Sequence, residues 1–279
     1  MNELLKNIIK TAEGAQIINE NDYKNDDGLL MCGLCNTPKQ TRLKEPYDEI
    51  IVPVACKCRH DAYNAMQEKK RLDELEKRRN THIEHEKWRS HRFGQDDGKN
   101  SKITHSLRKY CDKFSDMFKK NLSLLLYGPV GTGKTFYAAC IANELINQGY
   151  SVVMSDLPRI VDYINPYGKN QRKREEYEAH LQYCDLLVID DLSAERDTDF
   201  MKENVYRVIN MRYESRKPMI VTTNLSEEQL AATNDEDKRR VYDRIREMCH
   251  FICINGESRR FEEAAKRAEK VNKFLELSE

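Results

Sequence analysis

Apolar and polar residues follow two different patterns along the chain. From Lys102 onward, short and strongly apolar runs alternate with stretches whose pattern is typical of helices. Apolar strands that are separated by helices predict an α/β fold with a mainly parallel sheet that is covered on both faces. The runs that predict strands are Leu122–Tyr127, Ser151–Met154, Leu186–Ile189, Met219–Thr222 and Phe251–Ile254.

The N-terminal part of the chain lacks this alternation. Residues 1–30 carry short amphipathic helix signals, which indicate either a partner-binding helix or a loose arm. Residues 61–92 contain no Gly or Pro and are rich in Lys, Arg and Glu, so they predict a long, exposed helix. The polar segment 93–101 contains two glycines and predicts a domain boundary. A length of 279 residues also suits two domains, which we expect over residues 1–95 and 96–279.

A glycine-rich loop follows the first predicted strand. Residues 128–135 match the pattern G-x-x-x-x-G-K-[ST] and lie between that strand and a predicted helix over residues 135–148. Backbone N–H groups of such a loop surround a phosphate at a helix N-terminus. A glycine turn that arose by chance need not lie between a strand and a helix, so this position favours a phosphate-binding loop. We expect Lys134 to reach the β- and γ-phosphates of ATP and Thr135 to bind Mg²⁺. The predicted nucleotide-binding residues of this segment are Gly128, Pro129, Val130, Gly131, Thr132, Gly133, Lys134, Thr135 and Phe136.

Two carboxylates follow the predicted strand Leu186–Ile189. Asp190 is expected to hold Mg²⁺ through its water shell, and Asp191 to orient the attacking water. A hydrophobic strand that ends in two acids can also simply be a strand that meets solvent. Its position about 55 residues after the phosphate loop favours the catalytic interpretation. Many ATPases with this layout have Glu at the second position, and the shorter side chain of Asp191 therefore predicts slow hydrolysis.

Two further polar residues are candidates for sensing the nucleotide. Asn224 follows the predicted strand Met219–Thr222, where it senses the γ-phosphate or helps to orient the water. The alternative is that it caps a helix that begins near Ser226. Arg244 lies on a predicted helix, where it either projects toward the nucleotide of a neighbouring subunit or belongs to an exposed face of mixed charge. An Arg supplied by a second subunit accelerates related phosphoryl transfers by about 10³–10⁵.

The N-terminal part contains a cluster of cysteines. Cys32 and Cys35 form one close pair, and Cys56 and Cys58 form a second, with His60 near enough to compete as a ligand. Two such pairs are typical of a tetrahedral zinc site, which supplies roughly 10–16 kcal/mol to a small unit that lacks a core. Unligated buried cysteines are the alternative. The remaining cysteines are expected to be core residues: Cys111, Cys140, Cys184, Cys249 and Cys253.

Overall charge excludes a molecule-wide attraction to nucleic acid. Lys and Arg together number 47, as do Asp and Glu, so DNA contact requires a local patch. The basic runs 69–79 and 167–174 are candidates for contact with single-stranded DNA, although a solvated helix face also explains such runs. For His82, His85 and His91 we expect solvent exposure. No window reaches the roughly 20 apolar residues of a membrane span, and no export signal precedes the nine cysteines, so we expect a cytoplasmic protein in a reducing compartment with metal-bound thiols.

The order of these motifs resembles that of one ATPase family. The segments GPVGTGKT, LLVIDD, TTN, DRIRE and GESRR are similar in order to those of AAA+ ATPases of the DnaC/DnaI helicase-loader group, which also includes the IstB transposition helpers. The resemblance covers roughly the C-terminal two-thirds. It implies a five-stranded parallel sheet, and it implies the following roles: Walker A for Lys134 and Thr135, Walker B for Asp190 and Asp191, sensor 1 for Asn224, arginine finger for Arg244, and sensor 2 for Arg260, with Arg259 as competitor.

The resemblance also implies a function. We expect an ATP-dependent loader that uses ATP and Mg²⁺, self-associates through its AAA+ domains in a helical or closed assembly, and places a hexameric replicative helicase on single-stranded DNA. In similar loaders an N-terminal cysteine-rich module docks on the helicase, which suits the predicted Zn²⁺ site. The alternative is an IstB-like helper of a transposase, although such helpers usually have a helical N-terminus instead. A third interpretation is an ATPase stimulated by nucleic acid that has no helicase partner.

Overall fold

The computed structural model describes residues 18–44, 49–165, 170–192 and 198–275. Its chain separates into two compact units, Met1–Glu74 and Leu75–Glu279. The helix signals within residues 1–17 lie outside the described residues. None of the described helices combines the length and the apolar character needed to cross a bilayer.

The smaller unit is built from two short antiparallel hairpins. Strands β1 (Tyr23–Lys24) and β2 (Leu30–Met31) form the first, and β3 (Gln40–Lys44) and β4 (Glu49–Pro53) form the second. In the described part of this unit, the buried residues of apolar type are two of the clustered cysteines, Cys32 and Cys56. Hydrophobic burial this small does not stabilise an independent unit, so another source of stability is required.

The larger unit contains the predicted parallel sheet. Its strand order is β6-β7-β8-β5-β9, and every neighbouring pair is parallel. The predicted α/β fold with a five-stranded parallel sheet is thereby confirmed, with strand limits that differ from the apolar runs by one to three residues. These strands are β5 (Ser123–Tyr127), β6 (Val152–Asp156), β7 (Leu186–Leu192), β8 (Met219–Thr223) and β9 (Cys249–Cys253).

Helices cover both faces of this sheet. Because successive side chains of a strand point to opposite faces, Leu124 and Leu126 of β5 enter one hydrophobic cluster and Leu125 enters the other. The helices among the described residues are α1 (Lys57–His82), α2 (Glu86–Arg89), α3 (Ser101–Asp112), α4 (Phe114–Lys119), α5 (Lys134–Asn147), α6 (Leu157–Ile164), α7 (Gln171–Tyr183), α8 (Asp199–Ser215), α9 (Glu227–Ala231), α10 (Glu236–Met248) and α11 (Arg259–Phe274), with a 3₁₀ turn at Phe93–Gln95.

The predicted long helix over residues 61–92 is shorter and less exposed than expected. Helix α1 ends at His82 because Ile83, which is fully buried, forms a parallel bridge with Met154 on the outer edge of β6. Leu75 and Arg79 of α1 are also buried, and Arg79 donates a 3.1 Å hydrogen bond to the side chain of Asn143. These contacts place residues 75–95 in the larger unit, so the division falls before the boundary expected between residues 95 and 96.

A buried arginine joins the segments that lead into two central strands. Arg212 of α8 is fully buried and donates hydrogen bonds to the backbone oxygens of Leu181 and Cys184 at 3.1 and 3.0 Å, and to that of Pro218. Burial lowers the pKa of Arg212. β7 begins shortly after Cys184, and β8 begins directly after Pro218. The Arg212 side chain therefore fixes the positions at which these two strands begin. The same two strands carry acidic and hydroxyl residues at their C-terminal ends.

Cysteines outside the cluster are mostly core residues, as expected. The exception is Cys253, which is partly exposed and lies on the edge strand β9. The buried residues are Cys111, Cys140, Cys184 and Cys249, and the partly exposed residue is Cys253.

Candidate functional site

The phosphate loop connects β5 to α5 and depends on glycine. Gly128, Gly131 and Gly133 all have positive φ angles, of 140°, 85° and 104°. A Cβ atom at Gly131 would lie 2.1 Å from Oγ of Ser258, and one at Gly128 would lie 2.4 Å from the backbone oxygen of Ile254. Both the backbone conformation and the close packing therefore exclude larger residues. The start of α11 lies directly against the loop, since the N–H of Arg259 donates to the oxygen of Gly131 at 2.9 Å.

Lys134 is held inside this loop. Its Nζ donates to the backbone oxygens of Gly128 and Pro129 at 2.9 and 2.7 Å. Burial is the main cause that lowers the pKa of Lys134, and the charge of Arg260 acts in the same direction, whereas Asp191 and Asp190 oppose the shift. The ammonium group thus lies where the loop amides converge, bonded to neutral oxygens that an anionic phosphate can replace as stronger acceptors.

Asp190 accepts hydrogen bonds from two threonines. Thr135 Oγ1 donates to Oδ2 at 3.1 Å, and Thr222 Oγ1 donates to Oδ1 at 2.7 Å. Burial raises the pKa of Asp190, although both hydroxyl bonds act in the opposite direction. A buried carboxylate beside a threonine hydroxyl is a set of hard oxygen donors that fits Mg²⁺. Thr222 was not among the residues predicted from sequence, and its only signal was a hydroxyl residue at the end of the neighbouring strand.

Asp191 lies at an irregularity of the sheet. The register between β7 and β8 shifts between Ile189 and Leu192, and Asp191 has a left-handed backbone with φ of 58°. Its N–H donates to Oγ1 of Thr222 at 2.8 Å, and its Oδ1 accepts from Nδ2 of Asn224 at 3.2 Å. Asn224 is not the cap of the next helix.

That cap is Ser226, whose hydroxyl accepts from the N–H of Gln229 at 3.3 Å at the start of α9. The side chain of Asn224 is therefore available to act with Asp191, as one of the two sequence interpretations requires.

These groups share one cavity of about 1010 Å³. The predicted roles remain predictions, but the cavity brings most of the predicted residues together. It is lined by Val130, Gly131, Gly133, Lys134, Thr135, Phe136, Asp190, Asp191, Asn224 and Arg260, and by Thr222, His85, Trp88, His91 and Gln95 among the residues that were not predicted.

The three histidines expected in solvent are in contact with other groups. His85 lies 2.8 Å from Oδ2 of Asp156, and the rings of His91 and Phe136 are 5.2 Å apart. His82 lies 4.5 Å from the ring of His180, and burial lowers the pKa of His82. The expectation of exposure was wrong because all three lie in the segment 75–95, which belongs to the larger unit and packs within it.

The two candidates for the sensor 2 position occupy different environments. Arg259 donates to Oδ1 of Asp97 at 2.8 Å and lies with its guanidinium 5.6 Å from the centre of the Tyr137 ring. Arg260 is exposed and lines the cavity, near enough for its charge to affect Lys134. Arg259 also lines the cavity, so the assignment of sensor 2 to Arg260 stays a prediction.

Arg244 does not line this cavity. Its guanidinium lies 4.5 Å from the ring centre of Tyr206 and 5.3 Å from that of Tyr213, both on α8. One terminal nitrogen, Nη1, is buried and has no acceptor among the described residues. Since the predicted role of Arg244 involves a second subunit, one chain alone leaves that role a prediction.

The four clustered cysteines converge in the smaller unit. The sulfur atoms of Cys32, Cys35, Cys56 and Cys58 all lie within 4.8 Å of one another, and within the described ranges no other group of three or more His, Cys, Asp and Glu side chains converges in this way. A hydrogen bond with Thr37 lowers the pKa of Cys35 to about 6, whereas contact with the neighbouring thiols, Cys56 first, raises that of Cys58 to about 12.

Four close sulfurs do not all ionise without a compensating cation. Their convergence in a unit without an apolar core therefore fits a structural zinc ion with four thiolate ligands. His60 is exposed and does not belong to the cluster.

The basic run 167–174 is only partly described, since residues 167–169 lie outside the described residues. In the described portion, Arg172 lies 3.0 Å from Glu176, and Arg174 lies 3.9 Å from Glu178. Much of the positive charge on α7 is thus paired along the helix itself, and the run gives no separate support to a DNA contact.

Known proteins resemble this chain in sequence over its larger part. A family described as IstB-like ATP binding protein matches residues 61–267. The chain is 30% identical over 140 residues to the replicative helicase loader DnaC of Escherichia coli K12, a match that covers 50% of this chain and 55% of that protein. It is also 30% identical over 151 residues to the replicative helicase loader DnaI of Bacillus subtilis, covering 50% and 48%. The chain thus spans about half the length of the curated relatives that it matches.

Solved structures show the same fold. A DnaI structure superposes with a TM-score of 0.51 at 22% identity, covering 63% of this chain and 94% of that one. A DnaC helicase loader structure gives 0.51 at 21% identity, covering 61% and 100%. Both superpositions show a shared backbone fold.

Proposed function

Because the chain belongs to the IstB-like ATP-binding protein family, which is homologous to the DnaC and DnaI helicase loaders, we propose that it binds and hydrolyses ATP with Mg²⁺ to control the loading of a replicative helicase. The single observation that supports this proposal best is the convergence in one cavity of Lys134, the Thr135–Asp190 pair and the Asp191–Asn224 pair. A cation, a metal-binding pair and a water-orienting pair are the parts that phosphoryl transfer requires.

Each group has a distinct task in this proposal. Lys134 leaves the oxygens of Gly128 and Pro129 and binds the β- and γ-phosphates, while Thr135 and Asp190 hold Mg²⁺. The metal neutralises the charge that develops on the phosphate oxygens. Asp191 orients the attacking water, and Asn224 keeps the Asp191 carboxylate in place by the 3.2 Å hydrogen bond. Arg260 contacts the γ-phosphate from the side of α11.

The assembly of several chains completes the site. Arg244 is supplied to the nucleotide of a neighbouring chain, where its charge stabilises the transition state. We expect hydrolysis to be slow in the isolated chain and faster when single-stranded DNA brings copies together. Local cations, not net charge, must carry this contact with DNA, since the charges of the whole chain balance.

The smaller unit has a separate task. Zn²⁺ bound by Cys32, Cys35, Cys56 and Cys58 supplies the stability that its hairpins lack, and the folded unit docks on the hexameric helicase. The alternative is an IstB-like helper of a transposase, since the matching family is described as IstB-like ATP binding protein. The cysteine cluster favours a loader over a helper, because the helper class usually has a helical N-terminus.

Reconstitution tests the proposal. The purified chain is mixed with the replicative helicase of its own organism and with primed single-stranded DNA coated with binding protein, and strand unwinding is measured with ATP. We expect unwinding to depend on the chain, and the Cys32→Ser variant to bind ATP but load no helicase. Association with a transposase encoded beside it, without any effect on helicase loading, contradicts the loader proposal and supports the helper.

A further inference from the structure

A second groove of the larger unit runs along the edge strand β9. It has a volume of about 760 Å³ and is bounded by β9, the start of β5, α3 and α4. Four consecutive residues of β9, His250 to Cys253, line it. Since neighbouring side chains of a strand point to opposite faces, a wall made of consecutive residues is the edge of the strand itself. The groove therefore presents backbone N–H and C=O groups as well as side chains.

The two edges of the sheet differ in how they are covered. At the β6 edge, Ile83 bridges to Met154, and the N–H of Glu84 donates to the oxygen of Met154 at 3.0 Å. Within the described ranges, β9 pairs with β5 on one side and with no strand on the other. An uncovered edge is a template for one more strand, and native proteins usually protect such edges.

The walls of the groove define the chemistry of a ligand. Partly exposed apolar side chains, including Met117, Leu122 and Ile252, form its floor. Three lysines stand around it, no carboxylate lines it, and none of these lysines forms an ion pair in the part of the chain that the structure describes. An extended segment in which apolar and acidic residues alternate fits this groove. The lysines are Lys102, Lys109 and Lys113.

One segment of the same sequence has this chemistry. Residues 274–279 read Phe-Leu-Glu-Leu-Ser-Glu. In an extended chain Leu275, Leu277 and Glu279 fall on one side, and Phe274, Glu276 and Ser278 fall on the other. The described part of the segment is strongly exposed, with Phe274 at 85% and Leu275 at 55%. A six-residue strand spans about 20 Å, which is enough to pair with the whole of β9.

The helix that carries this segment is itself unsuited to the groove. Helix α11 is exposed at every side chain described from 264 to 274, and over this stretch it bears the four cations Lys266, Arg267, Lys270 and Lys273 against one acid, Glu269. These cations would meet the lysines around the groove and repel them. Residues 274–279 begin at the last residue of α11 and carry the complementary charge, so this segment is the favoured ligand and the basic part of the helix is not. Phe274 and Leu275 must leave the last helical turn in order to bind as a strand.

We propose that residues 274–279 of one copy bind as an added strand along β9 of a second copy. Donor and acceptor are different surfaces, so the contact is head-to-tail and can extend from copy to copy. A strand of this length buries little surface, which places the single contact in the weak class. The proposal adds a specific contact to the self-association proposed above, and it requires no nucleotide chemistry.

A labelled peptide of residues 270–279 tests the groove directly. The receptor is the full chain with Leu277→Asp, which disables its own segment, and binding is followed by fluorescence anisotropy without nucleotide. We expect saturable binding that Lys109→Glu weakens about fivefold, since it replaces an ion pair of modest strength by a repulsion. Lys119→Glu, an exposed change outside the groove, should leave binding unchanged. A peptide with Glu276→Lys should bind the Lys109→Glu receptor better than the native peptide does.

Sedimentation of the full chain without nucleotide then identifies the occupant. We expect the mass to rise with concentration, and both Leu277→Asp and Lys109→Glu to keep the chain monomeric. Equal peptide binding by Lys109→Glu and the control overturns the groove assignment. A chain that stays monomeric at concentrations where the peptide binds shows that the segment occupies its own β9, and overturns the two-copy contact. Calorimetry with ATP on the same variants separates these outcomes from failure of the nucleotide site, because none of the changes touches that cavity.

Discussion

Thr222 of β8 holds both acids at the end of β7: its Oγ1 donates to Oδ1 of Asp190 at 2.7 Å and accepts from the N–H of Asp191 at 2.8 Å. A hydroxyl can do both because it has one donor and two acceptor positions. The side chain of one strand thereby sets the geometry of the proposed metal ligand and of the proposed water-orienting residue in the next strand.

Replacement of Thr222 by Val should reduce hydrolysis far more than nucleotide affinity. Valine has nearly the same shape but removes both hydrogen bonds, and a bond to a charged group contributes about 1.5–3 kcal/mol. We expect kcat to fall about 10- to 100-fold with a small change in KM, as measured by steady-state phosphate release. Thr222→Ser restores the hydroxyl and should recover most of the rate. If Thr222→Val kept the wild-type kcat, Thr222 would have no role in hydrolysis.

Lys134→Ala should abolish ATP binding while the fold persists. The substitution removes the cation that balances the β- and γ-phosphates, and Lys134 supports the free loop only through two bonds to its oxygens. Isothermal calorimetry measures the affinity, and circular dichroism measures the fold. Lys119→Ala serves as the control for loss of an exposed charge. Micromolar affinity retained in folded Lys134→Ala is incompatible with the assignment of the loop.

Asp190→Asn should stabilise the nucleotide-free chain increasingly as pH rises. Burial raises the pKa of Asp190, so the folded chain binds this proton more tightly than the unfolded chain does. The free energy of unfolding therefore falls as pH rises from about 4 through the raised pKa. The amide of Asp190→Asn does not titrate in this range and causes no such fall. We expect the Tm advantage of Asp190→Asn in chelator-treated protein to be larger at pH 8 than at pH 5.

The exposed acid Asp112 provides the matched control for this comparison. Asp112→Asn measures how much of any Tm difference comes from the loss of one surface carboxylate alone. An equal Tm difference at both pH values for Asp190→Asn would mean that the buried carboxyl does not titrate differently on folding.

Cys32→Ser should release zinc without affecting ATP binding. Cys32 belongs to the smaller unit, and the phosphate loop belongs to the larger one. We expect one zinc ion per wild-type chain by mass spectrometry of protein prepared without chelator, and loss of zinc and of helicase binding in the variant. Cys253→Ser, which changes a cysteine outside the cluster, should keep both. Wild-type protein that contains no zinc refutes the metal assignment.

Arg244→Ala should lower kcat and leave ATP affinity nearly unchanged. Most binding energy comes from the chain's own loop, whereas a charge from a second chain acts mainly in the transition state. Phosphate release measures kcat, and Arg246→Ala, an exposed change on the same helix, is the control. Addition of Lys134→Ala protein should restore activity to Arg244→Ala, since one chain then donates Arg244 and the other the nucleotide site. No rescue, together with wild-type turnover of Arg244→Ala alone, identifies Arg244 as a structural partner of Tyr206.

The sequence was most informative where chemistry imposes fixed spacing. The loop from Gly128 to Thr135 and the strand that ends in Asp190 were predictable, because a phosphate cradle requires glycine, lysine and threonine at set positions. The bond from Thr222 to Asp190 was not, because it depends on which strands are neighbours in the sheet. The prediction of an exposed helix was wrong for residues 83–92 because Ile83 and Trp88 are apolar residues surrounded in sequence by charged ones. The sequence near them does not show that they contact α5 and β6.

The left-handed backbone of Asp191 limits which acid can occupy that position. A φ of 58° at Asp191 carries a steric cost of roughly 1–2 kcal/mol. Asp and Asn reduce this cost by local hydrogen bonding, whereas the longer Glu does not. Glutamate would give the carboxylate more reach toward water only by straining the main chain at the sheet irregularity. The slow turnover that we expect would then originate in backbone geometry, and Asp191→Glu alone should not convert this chain into a fast ATPase.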